Sequence, residues 1–91
     1  MSVPAEFPGA ELVHTGIEDL RRGIESPEAP LVSIGAARLS ALGLAVPAPF
    51  PRAEHRLYEL LSLNDPEGAH SRYNALIRRL VSFERAAECA A

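Results

Sequence analysis

The strongest hydrophobic pattern lies near the C-terminal end of the chain. Tyr73, Leu76, Ile77, Leu80, Phe83 and Ala87 recur at i, i+3, i+4 and i+7, an unbroken apolar stripe that predicts a helix over 66–88. Asp65 is placed to cap it, Pro66 suits the first helical position, and Glu67 favours the positive end of the helix dipole. A narrower stripe of Ile17, Leu20 and Ile24 predicts a first helix over 15–25, with Thr15 and Glu18 spaced as a capping box. Residues 1–14 contain Pro4, Pro8 and Gly9 and read as an extended arm anchored by Phe7 or by Leu12 and Val13.

Between these two elements the pattern changes. Ser26 and Pro27 open a second helix over 27–43, and Gly43 fits a left-handed C-cap. Leu31, Val32, Ile34, Leu39 and Leu42 leave little polar circumference, so this helix is expected at the centre. Ser33, Ala36, Ala37 and Ser40 form a small-residue strip suited to close helix approach. Arg38 falls inside the apolar face and needs a carboxylate, for which Glu54, Glu59 or a loop carbonyl from 44–51 are the candidates. Pro47, Pro49 and Pro51 then forbid helix and predict an extended crossover. A third helix over 52–63 carries Ala53, Leu57, Leu60 and Leu61 on one face. No segment alternates as a strand would. The prediction is all-α: one domain over 1–91, a compact bundle of about four helices, with an extended N-terminal arm and a Pro-rich crossover between helices 2 and 3.

Composition narrows the function classes. The chain has 91 residues, 47% hydrophobic, with a formal charge of −3. Its nine basic side chains are all Arg, which closes every mechanism that needs a lysine. Cys89 is the single cysteine, so no internal disulfide forms; the N-terminal residues lack signal-peptide character, and a cytoplasmic protein is expected.

Candidate chemistry is sparse. His14, His55, His70 and Cys89 have no metal-ligand spacing, and no phosphate-binding glycine loop occurs. A nucleophile at Cys89, the third residue from the end, lacks a held base. No catalytic, cofactor or metal residue is assigned, and no enzyme is expected.

One feature stands out. Arg72, Arg78, Arg79 and Arg85 concentrate on the last helix, where Glu84 is the one acid between them. Asn74, Arg78 and Arg85 lie opposite the apolar stripe, while Arg72 and Arg79 border it. Tyr58, Leu63 and Val81 are apolar groups left over from the core faces. The expected function is a non-catalytic protein-interaction module with a protein partner, a second copy forming a homodimer through the last helix. Its contact residues are Tyr58, Arg72, Asn74, Arg78, Arg79, Val81 and Arg85. The alternative is a nucleic-acid-associated regulator that uses the same arginines, which the net acidity opposes. No membrane partner is expected.

Overall fold

Pro8 and Gly9 form the turn that starts the first helix. In the computed structural model, which describes residues 7–90, α1 spans Ala10–Arg22. The arm expected over 1–14 is thus helical from Ala10 onward, and residues 1–6 lie outside the described residues. Gly9 has φ 76° and is the N-cap; its carbonyl accepts the N–H groups of Leu12 and Val13 at 3.1 and 3.2 Å. A Cβ on Gly9 would lie 2.7 Å from the Arg79 carbonyl oxygen, so glycine is what lets the chain cross the last helix so closely. Thr15 consequently sits mid-helix and makes no capping box. The buried face comprises Ala10, Leu12, Val13 and Gly16, with Ile17 and Leu20 half-buried. Ile24, the expected end of the stripe, lies past the Gly23 C-cap and is exposed.

The expected central helix breaks in two. α2 spans Glu28–Ile34 and α3 spans Ala36–Ala41, with Gly35 between them. Gly35 passes beneath the last helix, where a Cβ would meet Glu84 Oε2 at 2.7 Å and Leu80 Cδ2 at 3.3 Å. Glycine also weakens a helix interior by about 1 kcal/mol, so the break coincides with the weakest local position. α2 takes the central place, with Ala29, Pro30, Leu31, Val32 and Ser33 all buried.

The expected small-residue strip does not form a contact seam, because Ala37 and Ser40 are exposed. Close approach occurs instead at Gly16 of α1, where a Cβ would lie 2.5 Å from the Glu28 carbonyl oxygen and 2.6 Å from Val32 Cγ1. Helix α3 ends at Ala41, two residues short of the expected bound, and Gly43 just past its Leu42 cap takes the expected left-handed conformation, φ 92°. Leu44 N–H donates to the Leu39 carbonyl at 2.9 Å and Gly43 N–H to that of Ser40 at 3.0 Å, a Schellman closure with Leu44 buried.

Ser33 has a different role from the one its size suggested. Its Oγ donates to the Ala29 carbonyl at 2.9 Å and accepts the Phe50 N–H at 3.0 Å. One buried hydroxyl therefore pins the Pro-rich crossover to the central helix.

α4 spans Ala53–Asn64 and buries Ala53, Leu57 and Leu61, with Leu60 half-buried, as its spacing predicts. α5 spans Ala69–Ala90, starting later than Pro66 because Pro66–Gly68 form a turn. Asp65 still serves the turn: Oδ1 accepts the Gly68 N–H at 3.1 Å. Along α5, Leu80, Phe83 and Ala87 are buried, and Tyr73, Leu76 and Ile77 pack partly buried against the core. Phe7 reaches the core from the chain start, its ring centroid 6.2 Å from that of Phe83. The result is all-α, with no strand among the described residues. Among the described residues no helix is long and apolar enough to cross a membrane.

Candidate functional site

The seven expected contact residues fall on three surfaces. At 100° per residue, Arg78 and Arg85 lie about 20° apart on the outward side of α5, with Asn74 and Val81 adjacent. Arg72 and Arg79 lie on the flank toward α1, roughly 120° from the other pair. Tyr58 stands on α4.

Their environments differ as much as their positions. Arg79 Nη2 is paired with Glu11 Oε1 of α1, so its charge is answered within the fold. Arg72, Arg78 and Arg85 are exposed and make no salt bridge with any described residue. Asn74 is half-buried and its Nδ2 lies 3.2 Å from His70 Nε2, within hydrogen-bond distance. Val81 is half-buried. The Tyr58 ring tilts against that of Tyr73 across the α4–α5 contact, centroids 5.8 Å apart. Burial, and the Glu54 charge after it, raise the Tyr73 hydroxyl above its ordinary pKa.

Arg38 pairs, though not with the acids expected. Nε and Nη2 fork onto both Glu88 oxygens at 2.8 and 2.6 Å, and Nη1 donates to Glu84 Oε1 at 3.1 Å. The Arg38 side chain is half-exposed; the group taken from water is Glu84, whose side chain is 4% exposed. Glu54 and Glu59 sit on α4, and Glu59 is occupied by Arg56 at 2.9 Å. Burial raises the Glu84 carboxyl above its usual range even with Arg38 opposing. The Arg38 hydrogen bonds hold Glu88 below that range, and Arg56 does the same for Glu59.

Sequence reasoning missed Glu84 and Glu88 as the partners of Arg38. A signal existed, since Glu84 falls within the apolar arc of α5 between the directions of Leu80 and Ile77.

The outer face of α4 carries the largest apolar exposure. Leu63 is 79% exposed and Tyr58 40%. An open groove of about 440 Å³ runs along His55, Arg56, Tyr58, Glu59, Ser62 and Leu63. His55 Nε2 stands 3.7 Å from Glu59 Oε2, and Arg56 also pairs with Glu25. Among the described residues no three of His, Cys, Asp and Glu gather where a metal ion would be held. Cys89 is exposed on the last turn of α5.

Compared with known protein families, with curated proteins and with solved structures, the chain matches none of them.

Proposed function

We propose that this chain is a non-catalytic protein-interaction module of the cytoplasm that associates with a second copy of itself through the outer face of α4. The observation that supports it most is Leu63, a large apolar side chain 79% exposed on a regular helix, with Tyr58 and the groove beside it. Burying one leucine from water is worth about 1.5–3 kcal/mol, and a two-fold contact uses each such group twice. The same face carries Arg56 and Glu59, so copies related by a two-fold axis present both signs of charge to each other. Self-association through α5 has less support, because its outward face would set Arg78 and Arg85 against their own copies. The placement in the cytoplasm is in keeping with the exposed free thiol of Cys89.

Light scattering on the full chain at tens of micromolar tests this reading. A two-chain mass is expected, falling to one chain in Leu63→Glu with the helical circular dichroism unchanged. A one-chain mass for the unaltered protein overturns the proposal. So does a two-chain mass that survives Leu63→Glu combined with Tyr58→Glu.

A further inference from the structure

Among the described residues, every arginine that forms a salt bridge with a carboxylate forms it off the outward face of α5. Arg21 pairs with Glu18, Arg38 with Glu84 and Glu88, Arg56 with Glu25 and Glu59, and Arg79 with Glu11. Arg78 and Arg85 are exposed and have no such partner among the described residues. The acids nearest them in sequence are committed elsewhere: Glu84 is buried over Gly35, and Glu88 is held in the Arg38 fork. From Ser71 to Arg85 the outward face therefore carries two arginines and no acid, with Glu88 at its C-terminal edge close enough to Arg85 to feel its charge, in a chain of net charge −3.

The spacing is that of a helix seam. Ser71, Ala75, Arg78, Ser82 and Arg85 follow each other at intervals of four, three, four and three, the repeat on which a second helix lies. Arg78 and Arg85 are the large members, and about 10 Å separates them along the axis at 1.5 Å per residue. The remaining members are small, so a partner backbone approaches closely while the two guanidinium groups reach across it. Arginine binds carboxylate in a two-pronged fork, stronger and more directional than a single ammonium contact.

We propose that this face of α5 docks an acidic helix of another protein, one with two carboxylates seven residues apart that engage Arg78 and Arg85. A second copy of this chain fits the seam poorly, because α5 offers no free acid there and like charges face each other. A nucleic-acid duplex fits it poorly too, since two arginines supply only about two phosphate contacts, far fewer than duplex binding draws on. The docking does not depend on self-association through α4, and the two fail separately.

The test uses the full chain and a fluorescent helical peptide bearing two glutamates seven residues apart on one face, read by anisotropy. A control peptide of the same composition carries the second glutamate on the opposite face. The paired peptide binds at low salt, Arg78→Gln with Arg85→Gln weakens it about tenfold, and the control binds at least about fivefold more weakly. Arg21→Gln with Arg22→Gln changes it less than twofold, and none of these variants alters the mass seen in light scattering. Equal binding by the Arg78/Arg85 variant, equal binding by the control peptide, or no binding at low salt each overturn the proposal. A short DNA duplex that binds more tightly than the peptide, with a log–log salt slope of about two, also overturns it by assigning the face to phosphate.

Discussion

Arg38 and Glu84 lie 46 residues apart in sequence and meet at 3.1 Å, where α3 passes beneath α5. The carboxylate is almost fully buried and the guanidinium only half so, which makes Glu84 the partner that depends on the pair. Removing one member of a buried pair leaves an uncompensated charge, whereas neutralising the buried member leaves none. Arg38→Met is therefore expected to lower the thermal midpoint by about 5 °C or more. Glu84→Gln is expected to change it little, because burial already outweighs the attraction of Arg38 for the carboxylate. Combining Glu84→Gln with Arg38→Met should recover most of the loss that Arg38→Met causes alone. A double-mutant cycle followed by circular dichroism checks the three together, and an Arg38→Met protein as stable as the parent would refute this dependence.

The pH dependence follows from opposite shifts at three carboxyls. Glu84 holds its proton more tightly folded than unfolded, so stability rises as pH falls from neutrality through its raised value. Glu88 and Glu59 are held low, so the stability they contribute is present above the ordinary carboxylate value of about 4.3 and lost below it. The urea midpoint is expected to peak on the acid side of neutrality. Glu84→Gln should flatten the limb between that peak and neutrality and leave the acid limb in place.

Two glycines of α1 and its C-cap separate close packing from backbone strain. Gly16→Ala drives a methyl into the Glu28 carbonyl and Val32, with backbone on one side that has little freedom to move. A loss of about 2 kcal/mol is expected, in the range of overpacked cores. Gly23 has φ 70° and open space around its Cα, so Gly23→Ala incurs only the left-handed penalty of about 1 kcal/mol. Equilibrium unfolding in urea ranks the two, and the reverse order would show that α1 and α2 are not in close contact at Gly16.

Ser33 is expected to matter through the crossover it holds. In Ser33→Ala the Phe50 N–H loses its acceptor, at about 1–3 kcal/mol if no water replaces it. Ser33→Thr keeps the hydroxyl and so separates the hydrogen bond from side-chain size. Amide exchange at Phe50 is the direct readout: it should quicken in Ser33→Ala by more than the global loss of stability explains.

Periodicity and punctuation by themselves determined the helical class, the apolar faces of α4 and α5, the Asp65 turn and the Gly43 closure. These rest on interactions within a few residues, which the local order of side chains specifies. Three features depended on the tertiary structure. Gly9 reads locally as a breaker, yet the carbonyl of Arg79 crossing above it makes it a helix N-cap. Gly35 reads as one small residue inside a long helix, yet Glu84 and Leu80 lie over it and the helix divides there. The arginines of the last helix read as a single cluster, and the charged groups of α1 and α3 sort them. Glu11 satisfies Arg79, Arg38 engages Glu84 and Glu88, and Arg78 and Arg85 remain outward. The sequence states which residues carry charge, but their pairing is set by separations of 46 to 68 residues that only the packed helices close.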